Sequence, residues 1–235
     1  MAREAHMSWQ EAVRGVEVEP SLYAADASRL GAQIEELLEA GTRIFHFDIG
    51  DGDFVGPITM GPIVIQSIAP IVHSAHAMLD CHLMVRNPEK HIPQVAEVGG
   101  DSVTFHVEAC AEPARAVGLA RELGLGVGIA FNPETSVGAA LAVARGVDLL
   151  LCMSIHPGYS GQEFMPEALG RVAALRAALP QGVHVQVDGG VNAGNIAEIR
   201  GAGADLLVAG SGIFASADIG RAYRELASAA SPLTL

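Results

Sequence analysis

Four side chains stand out for the chemistry that their types and spacing allow. His46 and Asp48 sit two apart in the run His46-Phe47-Asp48-Ile49-Gly50-Asp51-Gly52-Asp53-Phe54, His82 lies in Asp80-Cys81-His82-Leu83-Met84, and Asp188 precedes Gly189-Gly190. On an extended strand residues i and i+2 share a face, so His46 and Asp48 project together, as do His82 and Met84. Two imidazoles and two carboxylates gathered from three strands make a mixed nitrogen and oxygen site for one divalent metal ion, with zinc, manganese, iron and cobalt all compatible. Taken singly, each residue has a plainer role. A histidine near a strand end serves as a hydrogen-bonded structural residue, and an aspartate before Gly-Gly serves as a turn or cap. Joint placement at one end of three strands is what points to a ligand set.

A second group is built from glycine. Gly158-Tyr159-Ser160-Gly161, Gly189-Gly190 and Gly210-Ser211-Gly212 follow three successive strand-like runs. Glycine lets the backbone come close to a ligand, and backbone N–H groups in such loops hold phosphate without lysine or arginine. That matters in a chain with 27 acidic and 14 basic residues, whose field repels anions and leaves any anionic substrate to a local site. The same balance argues against nucleic acid and anionic membranes as partners. The plainer reading of any one of these loops is that glycine ends a strand.

The elements that must position these residues follow from an alternating pattern. Short branched apolar runs at Val16 to Tyr23, Ile44 to Ile49, Met78 to Val85, Ser102 to Val107, Gly126 to Phe131, Leu149 to Ile155, His184 to Val187 and Leu206 to Ala209 read as strands. Helical segments separate them, among them SRLGAQIEELLEAG, PEKHIPQVAEVGG, EPARAVGLARELG, SVGAALAVARG, EALGRVAALRAAL and AGNIAEIRGAGA. Several end in the glycine expected just past a helix. Eight such units predict an α/β chain folded as a single-domain (β/α)8 TIM barrel, a fold of about 250 residues. A doubly wound sheet is the alternative, but it expects a GxGxxG turn after the first strand, where this chain has PSLYAAD. In a barrel the chemistry belongs at the C-terminal strand ends.

The barrel is expected over residues 16–235, with residues 1–15 as an N-terminal extension of no assigned role, expected to be disordered. That extension begins MAREAHMSWQ, with charges of both signs and no apolar core, so it does not read as a secretory signal. No apolar run approaches the roughly 18 residues of a membrane-spanning helix. Cys81, Cys110 and Cys152 are odd in number and show no metal spacing, which fits a reduced compartment, the cytoplasm by default. Lys90 is the single lysine and falls near the start of a helix, not on a strand facing a cavity, so Schiff-base chemistry is not expected.

Taken together, PSLYAAD, HFDIGDGDF, CHLMV, HVEAC, MSIHPGYSGQEF, VDGGVN and VAGSGIF occur in an order that resembles the ribulose-phosphate 3-epimerase family, over nearly the whole chain. The resemblance implies a (β/α)8 barrel that inverts ketose phosphates at C3, interconverting D-ribulose 5-phosphate and D-xylulose 5-phosphate. It implies that His46, Asp48, His82 and Asp188 ligate the ion and that Asp48 and Asp188 are the two acid/base groups, working through a metal-stabilised enediolate. It also implies substrate contacts from Ser21, His82, Met84 and Met153, and phosphate loops at Gly158, Tyr159, Ser160, Gly161, Gly189, Gly190, Gly210 and Ser211. Homo-oligomers are common in the family.

Against the family pattern, Gly50 replaces a usual methionine, Asp53 a histidine, Ser160 a glycine, and His156 an asparagine or acidic residue, while Gly56 and Pro57 stand where proline and asparagine are usual. Gly50 is expected to remove bulk near the reacting carbons, and Asp53 to reach a sugar hydroxyl or repel a second phosphate. These departures keep a 3-epimerase of another ketose phosphate, such as D-allulose 6-phosphate, in view. A phosphosugar-binding protein without turnover is the reading from another class; the retained Asp48 and Asp188 argue against it, since binding alone needs no proton-transfer pair.

Overall fold

The computed structural model describes residues 8–231. Eight parallel strands run in the order β1-β8-β7-β6-β5-β4-β3-β2. They are β1 (Glu17–Pro20), β2 (Ile44–Gly50), β3 (Met78–Met84), β4 (Ser102–His106), β5 (Gly126–Phe131), β6 (Leu149–Met153), β7 (His184–Asp188) and β8 (Leu206–Ala209). A parallel bridge between Ser21 and His46 joins β1 to β2, so the sheet closes into a barrel and the doubly wound alternative falls. The first strand is shorter than its apolar run suggests, because Leu22–Ala24 turns into a 3₁₀ helix beyond Ser21.

Helices α1 (Trp9–Ala12), α2 (Leu30–Glu39), α3 (Pro62–Ser74), α4 (Ile92–Val98), α5 (Pro113–Glu122), α6 (Val137–Val143), α7 (Ala168–Ala178), α8 (Ile196–Gly201), α9 (Ser211–Phe214) and α10 (Ile219–Ala230) accompany the strands. Proline at the first turn of α3 and α5, and the Ser136 and Asp218 caps of α6 and α10, set their starts. Helix α3 has a sequence easily taken for strand: PIVIQSIAPIVHS is apolar almost throughout, rich in branched residues and interrupted by Pro70.

Strand periodicity divides the core in two. On β2, Phe45, Phe47 and Ile49 face outward into the layer between sheet and helices, whereas Ile44 belongs to the apolar floor inside the barrel with Met78, Leu149, Leu151 and Leu206. Above that floor the interior is polar and buried. Gln186 Nε2 donates to Glu19 Oε2 at 2.6 Å and to Asp80 Oδ2 at 2.8 Å, and the Ser102 hydroxyl donates to Asp80 Oδ1 at 2.7 Å. The residues expected to do chemistry form the layer above this one.

The N-terminal segment corrects the expectation of a disordered extension from residue 8 onward. Ser8 N–H donates to Glu11 Oε2 at 2.9 Å, and Arg43 Nε donates to the Ala12 carbonyl at 3.1 Å, fixing α1 across the bottom of the barrel. Trp9 is buried against β5, where a Cβ on Gly126 would come within 2.6 Å of the indole nitrogen. Residues 1–7 of that expectation lie outside the described residues.

Candidate active site

The end of β2 supplies two site residues through its periodicity, and the register with β3 adds the third: His46 pairs with Asp80 and Asp48 with His82. Asp188 ends β7. One ligand atom each from His46, Asp48, His82 and Asp188 lies within 4.8 Å of the others. His82 Nδ1 is 3.0 Å from Asp48 Oδ1 and 3.9 Å from Asp188 Oδ2, and Ser21 Oγ donates to Asp48 Oδ2 at 2.8 Å. The sequence expectation of a four-residue cluster at the C-terminal strand ends therefore has its geometry.

That cluster suits a divalent ion on two grounds. His46 Nε2 is buried and makes no hydrogen bond, although it lies 3.3 Å from Asp48 Oδ1. A buried ring nitrogen without a partner is costly unless it meets a ligand. Its other nitrogen, Nδ1, is oriented by Asp80 Oδ2 at 3.1 Å, the outer carboxylate contact that metal-bound histidines usually make. Two imidazoles and two carboxylates are also the donor set of a first-row cation.

The electrostatics set the two carboxylates apart. Burial raises Asp188, the charge of Asp48 acts in the same direction, and its pKa reaches about 7. Burial works to raise Asp48 as well, but the His46 and His82 rings beside it prevail and hold its carboxyl well below the usual range. Beneath them burial lifts Glu19 to about 7, against the opposing influence of the His46 ring 3.7 Å away.

Above the four residues lies an open cleft, whose walls include Ser21, Asp48, Met84, Met153, Gly158, Tyr159, Ser160, Gly161, Asp188, Gly189, Gly190, Gly210 and Ser211. His82, expected to touch substrate too, is fully buried and does not reach the cleft wall. At Gly189 and Gly190 both the backbone angle and the available space demand glycine. Gly189 and Gly190 have φ of +119° and +65°, and a Cβ would come within 2.4 Å of Ile155 and 2.5 Å of the Phe164 nitrogen. Ser154 fixes the same turn, its hydroxyl donating to the Asp188 and Gly189 carbonyls at 2.8 and 2.7 Å.

Two expected specificity elements, Gly50 and Asp53, differ from expectation, and the departure at His156 lies on the surface. The space above Gly50 is not open to substrate: a Cβ there would meet Val55 at 2.9 Å, the Pro57 carbonyl at 3.0 Å and Thr59 at 3.1 Å, because the loop after β2 folds back over the strand end. Asp53 points outward, 74% exposed and 3.9 Å from Arg86 Nε. His156 is exposed and pairs with Glu134. Ser160, by contrast, stands in the cleft, its hydroxyl 3.2 Å from where a Cβ of Gly210 would sit.

Sequence reasoning passed over residues that hold the site. Thr59 accepts from the Gly50 N–H at 2.6 Å and donates to the Asp48 carbonyl at 2.8 Å. Tyr23, Ile155, Pro157, Val191 and Val208 also line the cleft. Asp80 and Gln186 were visible by strand parity with His82 and Asp188, the one signal that could have found them.

The fold and the site define a (β/α)8-barrel enzyme with its polar cluster at the C-terminal strand ends and glycine loops above it. Residues 17–214 match the model of the ribulose-phosphate 3 epimerase family, and the chain belongs to that family. It is 37% identical over 209 residues to the ribulose-phosphate 3-epimerase of Eremothecium gossypii, covering 86% of this chain and 87% of that one. The Escherichia coli K12 enzyme of the same name is 36% identical over 214 residues (90% and 94%), and that of Bacillus subtilis 35% over 215 (90% and 98%). Among solved structures, KGPDC from Streptococcus mutans aligns with a TM-score of 0.68 at 13% identity over 92% of this chain and 98% of its own, a likeness of fold. A 3-hexulose-6-phosphate synthase aligns with a TM-score of 0.67 at 22% identity, over 92% and 100%. Among the described residues no helix is long and apolar enough to cross a membrane.

Proposed function

We propose that this member of an isomerase family interconverts D-ribulose 5-phosphate and D-xylulose 5-phosphate by inversion at C3, with Asp48 and Asp188 as the two acid/base groups. The observation that carries the reading is the meeting of these two carboxylates, from strands three apart round the barrel, at the floor of one cleft roofed by glycine loops. His46, Asp48, His82 and Asp188 would hold one divalent ion, zinc, manganese, iron or cobalt. When bound, that ion supplies positive charge where a substrate oxygen becomes negative as the C3 proton leaves.

The protein's own groups account for the remainder. A carboxylate on one side of the sugar takes the C3 proton, and one on the other side returns a proton to the opposite face, which inverts the centre. The Ser21 hydroxyl, 2.8 Å from Asp48 Oδ2, fixes that carboxylate's orientation. Met84 and Met153 surround the reacting carbons with polarisable, weakly hydrogen-bonding sulfur. Gly189, Gly190, Gly210 and Ser211 let the phosphate approach the backbone, with the Ser160 hydroxyl as a further donor.

The test is to follow C3 inversion by NMR over a panel of pentulose 5-phosphates and hexulose 6-phosphates, with the protein metal-loaded and after chelation. Chelator-sensitive turnover fastest on ribulose 5-phosphate is expected, and Asp48→Asn or Asp188→Asn is expected to lower it by about 10³-fold or more. Faster turnover of D-allulose 6-phosphate would reassign the substrate, and unchanged turnover in either variant would remove the two-carboxylate mechanism.

A further inference from the structure

A buried chain runs from the candidate metal centre to the segment after β5. His82 turns Nδ1 to the centre, 3.0 Å from Asp48 Oδ1, and its Nε2 meets Nε2 of His106 at 2.8 Å. His106 directs Nδ1 toward Glu108 Oε2 at 3.4 Å. Glu108 Oε1 in turn accepts from the Asn132 N–H at 2.8 Å and from the Thr135 hydroxyl. Both imidazoles are fully buried. Phe54, from the loop after β2, covers His106 with ring centroids 4.8 Å apart.

Between neutral rings, one proton lies between the two facing Nε2 atoms, so the hydrogen-bond direction is set along the whole chain. With that proton on His82, its Nδ1 is bare and able to ligate, and His106 carries its own proton on Nδ1, facing the Glu108 carboxylate. With the proton on His106 Nε2, His82 is protonated on Nδ1, where no cation can then bind, and His106 presents a bare Nδ1 to an anion. His106 Nδ1 and Glu108 Oε2 are both buried without a hydrogen-bond partner. The first direction satisfies the two together by a small closure of the gap between them.

We infer that His106 and Glu108 are positioning residues that hold His82 in the tautomer with a bare Nδ1 and so strengthen binding of a divalent ion; the inference rests on the ligand set proposed above. Partners of this kind commonly change metal affinity 10- to 100-fold. Here the carboxylate acts through a second imidazole. Glutamine at position 108 is the informative replacement. Asn132 N–H and the Thr135 hydroxyl both demand an acceptor, which draws the amide oxygen to their side and leaves the amide NH₂ facing His106, favouring the wrong direction.

The experiment is a competition titration of Zn²⁺ against a chromogenic chelator with the full chain, its Glu108→Gln variant and its Glu108→Asp variant, alongside ¹⁵N NMR of the imidazoles in zinc-loaded wild-type protein. Expected are an affinity about 10- to 100-fold lower in E108Q, recovery of most of it in E108D, and a His82 proton on Nε2. Equal zinc affinity in E108Q and wild type, or a His82 proton on Nδ1 in the zinc-loaded protein, would overturn the inference alone. Wild-type protein that takes up no zinc would overturn the ligand set and this inference with it. The NMR arm uses wild-type protein only, so it decides the matter even if E108Q does not fold.

Discussion

Ser160 illustrates how a single residue can adjust a site without altering its chemistry. Its hydroxyl lies beside Gly210, in the part of the cleft where the phosphate is proposed to sit. Removing it should affect ground-state and transition-state binding equally, because the phosphate does not react. Ser160→Ala is therefore expected to raise KM about 5-fold, near 1 kcal/mol, with kcat unchanged; steady-state kinetics measure both, and a loss confined to kcat would contradict this placement. The cluster of His46, Asp48, His82 and Asp188 was legible at this scale because strand parity alone brings His46 beside Asp48, and C-terminal strand ends of a barrel lie together. Gly50 was misread for the opposite reason. Its neighbours Val55, Pro57 and Thr59 come from a loop that folds back, and local spacing cannot state where such a loop returns.

Among the elements, the loop after β2 does more than connect. Asp51 Oδ1 accepts from the N–H groups of Asp53 and Phe54 at 2.9 and 2.8 Å, while Oδ2 accepts from Arg86 N–H at 2.7 Å, tying this loop to the one after β3. Thr59 then clamps the strand end next to Asp48. Thr59→Val keeps the shape and removes both hydrogen bonds, so the Asp48 backbone loses its anchor. An activity about 10-fold lower with zinc content retained is expected, corresponding to about 1.4 kcal/mol; an unchanged kcat/KM in metal-loaded protein would show that the clamp is dispensable. All eight strands were legible to within a few residues, since each is a short branched run bounded by turn residues. For the polar layer, strand parity could mark Asp80 and Gln186 as inward-facing but could not show that they meet each other and Glu19, because which inward-facing residues meet across a barrel depends on strand stagger, and no single strand records it.

At the scale of the whole molecule, the barrel is closed at the bottom by Trp9 and capped at the top by loops that carry the site. The two ends are separated by the apolar floor and the polar layer, so they should respond independently to mutation. Trp9→Ala is expected to cost on the order of 3 kcal/mol and lower the melting temperature by about 10 °C, while leaving kcat/KM at 25 °C unchanged. Calorimetry with parallel kinetics checks both, and loss of activity in folded protein would show that the bottom of the barrel communicates with the cleft. The net negative charge and the glycine-lined cleft are compatible with the proposed function: a field that repels anions leaves the phosphate of the proposed substrate to one local site.

The central claim is that two carboxylates beside a divalent ion move the C3 proton of a ketose phosphate. Its most direct test is solvent exchange: metal-loaded protein and D-ribulose 5-phosphate in deuterium oxide, with deuterium at C3 of both epimers followed by NMR before and after chelation. The account predicts deuterium entering C3 together with inversion, and both stopping on chelation. Folded, metal-loaded protein that exchanges no C3 proton of this or any other ketose phosphate would contradict it.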